Sequence, residues 1–324
     1  PVNIDYYSNQ GWTAGMSESV YHFKQLLVPE KFDLHEDMRD VVLRFNNKNY
    51  VLTTDTSLLG PHFTKDYTPE EIGHKSLATN LSDIAAMGCI PLYALYAITL
   101  PKMSESWIKR FFRGTKKLLQ EYNVSIIGGD TTRGPLSISI TLIGVQKHNI
   151  LLRSGAKKGH EIYVTGTLGN ARAALVLNNT TKGHRHFRKY LVTPTPRVSV
   201  GLELSKFASS CIDISDGLVK DLKNIAISSK KGFEVDIDSL PVDPKFNHYV
   251  NPELREMCLI GGGEDYELCF TCNKKYINKI NDISKKYKLK ITKVGVMKQS
   301  GYSYTTSGKA YKPSVHGFDH FKDT

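Results

Sequence analysis

The clearest feature of the sequence is the way short apolar runs alternate with amphipathic segments between residues 41 and 146. Runs rich in β-branched and aromatic residues and bounded by polar turns are typical of strands. The polar NNKN at 46–49 predicts a hairpin turn between the first two runs. Strands are predicted for VVLRF (41–45), YVLTTD (50–55), LYALYAITL (92–100, buried), NVSIIGGD (123–130) and LSISITLIGV (136–145).

Two helices are predicted between these strands. Thr68-Pro69-Glu70-Glu71 is a strong helix start, because threonine caps, proline suits the first turn and acids complement the helix dipole. This helix is predicted to end near Gly88. Ser104 caps a second helix, which carries Trp107, Ile108, Phe111 and Phe112 at helical spacing. The resulting order of strand, strand, helix, strand, helix, strand, strand predicts a layered α/β architecture.

A second α/β unit is predicted from about Leu151 onward. Its predicted strands are EIYVTG (161–166), CIDIS (211–215), DYELCFT (265–271) and KITKVGV (290–296). Its predicted helices are GNARAALVL (169–177), Arg197–Phe207 and GLVKDLKNIAI (217–227). We therefore divide the chain into an N-terminal segment of unclear structure (1–36), an N-terminal α/β domain (37–148) and a C-terminal α/β domain (149–324).

Composition places the chain among globular proteins, with 40% hydrophobic and 23% charged residues. The apolar stretch 84–100 contains Gly88 and Pro91 and is too short to span a bilayer, so we expect a buried helix end and strand. The start of the chain lacks a charged segment followed by an apolar block, which predicts a cytoplasmic protein. No membrane partner is expected.

The five cysteines are odd in number and predict no disulfide framework. Cys269 and Cys272 form a CxxC inside a predicted strand without a second ligand pair, which favours core packing over zinc. The net charge of +11 comes from 43 Lys and Arg against 32 Asp and Glu. Because these residues are spread along the chain, we expect attraction for phosphorylated metabolites and no nucleic-acid partner.

The common nucleotide and hydrolase signatures GxxxxGK[ST], GxGxxG, HExxH and GxSxG do not occur. Instead, a series of aspartates lies at the ends of apolar segments. Any single one of them could be a turn or cap residue. Together they suit a metal site, since Mg²⁺ takes hard oxygen ligands and shares them with substrate phosphates. The series consists of Asp55, Asp83, Asp130, Asp213 and Asp216.

Six motifs in order carry a resemblance to the thiamine-monophosphate kinase family, within the aminoimidazole ribonucleotide synthetase-like superfamily. The similarity covers about residues 51–321. The motifs are HKSLATNLSDIAAMG (74–88), IIGGDTTRGPLS (126–137), RSGAKKGHEIYVTGTLG (153–169), CIDISDGLVKDL (211–222), GGGEDYELCFT (261–271) and GFDHF (317–321).

The resemblance implies two α/β domains, a homodimer paired through the N-terminal sheet, ATP as co-substrate and several Mg²⁺ ions. It also implies transfer of the ATP γ-phosphoryl group to thiamine phosphate, giving thiamine diphosphate and ADP. The metal positions match Asp40, Thr53, Thr54, Asp55, Asp83, Asp130, Asp213 and Asp216, and Asp55, Asp83, Asp130 and Asp213 match catalytic positions. The positions that contact ATP match Gly129, Asp130, Arg153 and Ser215, and those that contact thiamine phosphate match His62, Glu264 and Phe318.

One segment departs from the family pattern. The glycine-rich G-x-G-D-D before the first strand is replaced by HEDMRDVVL (35–43), which keeps Asp37 and Asp40 but has no glycine. An ungapped alignment places Asp37 against the two adjacent aspartates of the family segment, and a small shift places Asp40 against them. We favour Asp40, because it then immediately precedes the strand.

The residues also fit this chemistry on physical grounds. A phosphate acceptor is largely ionised at neutral pH, so no general base is needed, and divalent cations can offset the repulsion between two anions. Glu264 and the face of Phe318 or Tyr266 suit a cationic thiazolium ring, although Tyr266 could equally be a core residue.

Three alternative functions are less consistent with the sequence. A selenide water dikinase is disfavoured because no cysteine precedes Cys89. GGGEDYE and GFDHF disfavour aminoimidazole ribonucleotide synthetase. The altered HEDMRDVVL segment would suit a nucleotide-binding regulator without catalysis, which the remaining aspartates disfavour.

Overall fold

The structure is a computed structural model, and it describes residues 41–45, 47–315 and 317–318. The predicted order of elements up to residue 146 is confirmed. Asp37, Asp40 and the predicted segment 1–36 lie outside the described residues. The first elements are β1 (Val41–Phe45), β2 (Lys48–Leu58), α1 (Pro69–Ala86), β3 (Ile90–Leu100), α2 (Glu105–Glu121), β4 (Ser125–Arg133) and β5 (Ser137–Val145).

The second part of the chain contains the predicted strands and helices and several more that the sequence did not single out. Its helices are α3 (Asn170–Val176), α4 (Lys182–Val192), α5 (Val198–Leu204), α6 (Leu218–Ser228), α7 (Phe246–Tyr249), α8 (Pro252–Leu259) and α9 (Ile277–Tyr287). Its strands are β6 (Glu161–Thr165), β7 (Ser210–Asp213), β8 (Gly232–Asp236), β9 (Leu268–Cys272), β10 (Ile291–Lys298), β11 (Tyr302–Thr306) and β12 (Lys309–Tyr311).

The strands form two mixed sheets. The first has the order β1-β2-β5-β3-β4 and the second the order β12-β11-β8-β10-β6-β9-β7. The sheets use separate stretches of chain, as the two predicted domains require. The division at residue 148 itself stays a prediction.

Helix α1 lies between the two halves of the molecule and is almost entirely buried. It begins as predicted: Thr68 and Glu71 form a reciprocal capping box, and Pro69 occupies the first turn. The helix packs against α2 and the first sheet, and also against α5 and β7 of the second half. Side chains on α1 can therefore reach both halves.

Glycines allow this close packing. A Cβ atom at Gly201 of α5 would lie 2.0 Å from the carbonyl oxygen of Ala85 on α1, far inside contact distance. Helix propensity alone would make alanine more stable than glycine here. Since backbone cannot yield as a flexible side chain can, we expect the clash to dominate.

Gly201→Ala is therefore expected to lower the free energy of unfolding by about 1–3 kcal/mol, the range for overpacked interiors. Denaturant unfolding followed by circular dichroism measures the change. Gly308→Asn is the control, because Gly308 has a positive φ that asparagine tolerates and open space around it. A stability gain in Gly201→Ala would show that propensity outweighs packing.

Strand β3 is buried on one face only, which differs from the fully buried strand predicted for this run. Tyr93 and Leu95 are 43% and 38% exposed. The neighbouring edge strand β4 is exposed throughout, including Ile126 and Ile127. The apolar composition of β3 correctly predicted that its face toward the helices is buried. Nothing within the described chain covers its other face.

The stretch 84–100 contains the end of α1 and all of β3, as predicted. No helix among the described residues is long and apolar enough to cross a membrane. All five cysteines are buried and free, and burial raises the pKa of Cys272 in β9 to about 12. The prediction that the CxxC serves core packing is confirmed.

Candidate active site

The first side of the site consists of carboxylates held between β2 and α1. Along β2, Thr53 and Asp55 alternate with exposed residues and share the face toward α1. The Thr53 hydroxyl donates to Asp83 Oδ2 over 2.5 Å. The backbone N–H of Asp55 donates to Asn80 Oδ1 over 3.2 Å. These bonds fix two carboxylate-bearing residues at one end of α1.

The second half of the molecule contributes Asp213 from the end of β7. The hydroxyl of Ser82 on α1 donates to Asp213 Oδ2 over 2.7 Å. Asp83, Asp213 and the half-buried Arg153 line one pocket between the halves, together with Val42 and Met87. Three of the predicted site residues, widely separated in sequence, are thus brought into one cleft.

Tyr266 is a buried tyrosine close to the acidic residues of the site. Burial raises the pKa of its hydroxyl well above the usual value, and Glu264, Asp55, Asp213 and Asp83 raise it further in that order. These four carboxylates therefore lie near enough to one phenol to act on it electrostatically. The ring is 8% exposed, which supports the interpretation of Tyr266 as a core residue.

The loop after β7 is fixed by Asp221, which is fully buried on α6. Its Oδ2 accepts the backbone N–H groups of Ser215 and Asp216 over 3.1 and 3.0 Å. Asp216 also pairs with Lys220 over 2.8 Å. The backbone N–H of Phe318 donates to the Asp216 carbonyl over 2.9 Å. Three more predicted site residues thus share one small region.

The predicted acceptor residues His62 and Glu264 meet at a buried lysine. Lys75 Nζ forms an ion pair with the Glu264 carboxylate and donates to the His62 carbonyl over 2.8 Å. The backbone N–H of Glu264 donates to the Ser215 carbonyl over 2.9 Å. The acceptor end is therefore continuous with the loop after β7.

Three of the predicted site residues lie apart from this cluster. Thr54 lies on the opposite face of β2 from Asp55, and its hydroxyl hydrogen-bonds Thr141. Asp130 and Gly129 are on the edge strand β4, three strands from β2 in the sheet. At roughly 4.8 Å per strand this is a separation of about 14 Å. The roles given to these three residues stay predictions.

Sequence reasoning missed Lys75 and Asp221 as site residues. Lys75 stands inside the motif 74–88, on an otherwise apolar and small-residue helix face, which is an unusual place for a lysine. Asp221 stands on α6 within the motif 211–222. A charged residue on the buried face of a predicted helix was the available signal in both cases.

The donor set suits a hard divalent cation. Asp55, Asp83 and Asp213 present carboxylate oxygens, the ligands that Mg²⁺ prefers. No group of three or more His, Cys, Asp or Glu side chains within the described part of the chain forms a ready-made metal cage. The carboxylates fit Mg²⁺, because this ion is normally held by one or two carboxylates together with waters and substrate phosphates.

Comparison with known proteins gives consistent results. Residues 38–146 match the family model of AIR synthase related protein, N-terminal domain, and residues 157–306 match the C-terminal domain model. The thiamine-monophosphate kinase of Buchnera aphidicola subsp. Acyrthosiphon pisum is 39% identical over 284 residues. This alignment covers 85% of this chain and 88% of the Buchnera protein.

Solved structures agree. The crystal structure of thiamine-monophosphate kinase from Stenotrophomonas maltophilia is 35% identical, has a TM-score of 0.77, and covers 92% of this chain and 98% of its own. AaThiL complexed with AMPPCP and TMP is 28% identical, has a TM-score of 0.79, and covers 94% of this chain and 99% of its own. With both domain models and relatives of this similarity matched, the chain belongs to the AIR synthase related proteins and, among them, to the thiamine-monophosphate kinase family.

Proposed function

We propose that this chain is a thiamine-monophosphate kinase, which transfers the ATP γ-phosphoryl group to thiamine phosphate and releases ADP and thiamine diphosphate. The observation that carries the proposal is the pocket lined by Asp83, Asp213 and Arg153, because Asp213 is two residues from Ser215, whose carbonyl accepts a hydrogen bond from Glu264. The structure of AaThiL with AMPPCP and TMP supports ATP and thiamine phosphate as the two substrates.

The residues divide between the two substrates. Arg153 offsets charge on the ATP phosphates, as an arginine guanidinium commonly does. Asp55, Asp83 and Asp213 would hold Mg²⁺, which neutralises phosphate charge when bound. The loop at Ser215 would contact ATP.

At the acceptor end, Glu264 and Phe318 receive the cationic thiazolium, and the His62 carbonyl shares Lys75 with Glu264. None of these side chains needs to remove a proton, because the acceptor phosphate is already ionised. The polypeptide therefore acts by holding donor and acceptor in line.

We also propose a homodimer paired through the first sheet. Its support is the exposed apolar surface of β3 and β4, where Tyr93, Leu95 and Ile127 would leave water on pairing. A cytoplasmic location is part of the proposal and is supported by five cysteines in free, buried form.

Acceptor choice tests the proposed function. With ATP and Mg²⁺, kcat/KM for thiamine phosphate should exceed that for free thiamine by at least about 100-fold, since thiamine lacks the ionised phosphate that the site is arranged to receive. Coupled ADP release and chromatography of the products measure both reactions. Equal use of thiamine, or release of inorganic phosphate without thiamine diphosphate, would contradict the proposal.

A further inference from the structure

Lys75 stands in an unusual environment for a lysine. It lies in the second turn of α1, is 4% exposed, and its ammonium group lies between two segments distant in sequence. One segment carries Glu264, whose carboxylate forms the ion pair with Lys75. The other is the turn after β2, where the His62 carbonyl accepts a hydrogen bond of 2.8 Å. Lysines are almost never this buried unless their charge is paired.

The ammonium group also lies against an aromatic ring. Lys75 Nζ is 5.6 Å from the centroid of the Tyr67 ring, which is within the range of cation–π attraction. Arg188 of α4 lies at the same distance from that ring and pairs with Glu71. Lys75 is therefore enclosed by a carboxylate, a carbonyl and an aromatic face, and its position is strongly determined.

Glu264 is held in a conformation that few residues adopt. Its φ is +69°, in the left-handed region that non-glycine residues rarely occupy. The backbone N–H is tied to the Ser215 carbonyl, and the carboxylate is tied to Lys75. Both ends of the residue are thus fixed, and such a backbone persists only where its surroundings determine it.

The same helix holds the opposite end of the site. Ser82, two helical turns beyond Lys75, donates to Asp213 over 2.7 Å. Seven residues of helix span roughly 10 Å, and positions seven apart share a face. One rigid helix face therefore fixes a carboxylate at the metal end and a carboxylate at the acceptor end, at a set separation.

We infer that Lys75 is a positioning residue that sets the affinity for the acceptor. It holds the Glu264 carboxylate and the turn that carries His62 at a fixed position relative to Asp83 and Asp213. This inference rests on the proposed function and deepens it. Lys75 acts through Glu264 and the turn and does not itself contact the reacting phosphates. It should therefore affect the acceptor much more than ATP.

The test compares Lys75→Met, Lys75→Arg, Glu264→Gln and the double variant Lys75→Met/Glu264→Gln by steady-state kinetics. In Lys75→Met we expect KM for thiamine phosphate to rise about 30-fold, while KM for ATP stays within about twofold. Lys75→Arg retains the charge and should recover part of the loss. In the Glu264→Gln background, Lys75→Met should add less than threefold, because partners in one interaction are not additive.

Lys109→Met on α2 is the matched control, since Lys109 is exposed and pairs with Glu105 only one turn away. It should change neither KM. A Lys75→Met variant whose two KM values rise together, or whose full effect persists without the Glu264 carboxylate, would overturn the inference. If Lys75→Met does not fold, Lys75→Arg and Glu264→Gln decide: the inference requires a selective rise of acceptor KM in Glu264→Gln and a smaller one in Lys75→Arg.

The proposed function and this inference can fail separately. Wild-type turnover of thiamine phosphate decides the function without any variant. If the wild type uses another phosphorylated acceptor, the same variants are measured with that acceptor. The double-mutant cycle on thermal unfolding also requires no substrate, and additive changes there would refute the coupling between Lys75 and Glu264.

Discussion

Replacing Asp83 by asparagine is expected to lower kcat by about a thousandfold or more while leaving the fold intact. Asparagine keeps the shape of the side chain and can still accept the hydrogen bond from Thr53, but it removes the negative charge on which the proposed Mg²⁺ site depends. Loss of a metal bridge at a phosphoryl group costs several kcal/mol of transition-state stabilisation. Each 1.36 kcal/mol corresponds to about tenfold in rate, so a loss of about 4 kcal/mol gives this effect.

The measurement is ADP release at saturating ATP across a series of Mg²⁺ concentrations. Asp213→Asn should behave similarly, because Asp213 lines the same pocket. Asp282→Asn is the matched control, since Asp282 is exposed on α9 and that helix does not line the pocket. Circular dichroism and thermal unfolding establish that each variant is folded. An Asp83→Asn protein that keeps most of its rate at limiting Mg²⁺ would show that Asp83 is a structural cap.

The order of elements in the first half could be predicted because it depends on local signals. Thr68, Pro69 and Glu71 determine the start of α1 through bonds within four residues. The Ser104 hydroxyl caps α2 by accepting a hydrogen bond from the Trp107 N–H, three residues along the chain. Signals of this kind need no knowledge of the rest of the chain.

The second half was predicted less completely, because several of its elements lack such local signals. The basic stretch that forms α4 has apolar residues on one face, such as Phe187 and Leu191, yet its high charge concealed that periodicity. Strands β11 and β12 are short, and Tyr304 is their one buried residue, so they lack the apolar run that marks a strand. The pairing of β11 with β8 is a long-range property.

The site was predicted at the level of residue types, and less well at the level of geometry. The sequence singles out Asp55, Asp83 and Asp213 as carboxylates at strand ends or in motifs, and all three help to raise the pKa of the Tyr266 hydroxyl. Because side chains alternate between the two faces of a strand, Thr54 and Asp55 must lie on opposite faces of β2. The separation of Asp130 from Asp55 depends on strand order, which the sequence does not reveal.

The buried pair between Arg197 and Glu267 secures the segment that carries Glu264 and Tyr266. The guanidinium of Arg197, just before α5, donates to Glu267 Oε2 over 2.8 Å and also to Oε1. Thr165 of β6 donates to the same carboxylate over 2.6 Å. Burial alone would lower the pKa of Arg197, but Glu267 raises it above its ordinary value. Arg197 therefore remains charged in the folded protein.

Arg197→Met is expected to lower the free energy of unfolding by about 3–5 kcal/mol, because it leaves a buried carboxylate without its counter-ion. Arg197→Met/Glu267→Leu should recover most of that loss, since replacing both charges by apolar groups removes the uncompensated one. Lys206→Met is the control: Lys206 is exposed, and its partner Glu203 also pairs with Lys286, so the loss should be less than about 1 kcal/mol.

Urea unfolding followed by circular dichroism measures each change. The slope of the free energy of unfolding against urea concentration is compared among the variants. The acceptor KM should rise in Arg197→Met at temperatures where the variant is still folded, since the Glu267 segment also orients Glu264. A loss below about 1 kcal/mol in Arg197→Met would mean that water or another group compensates Glu267, and the pair would then be of the weak, surface kind. A double variant less stable than Arg197→Met would mean instead that Glu267 is retained for its bond with Thr165, with Arg197 as a secondary partner.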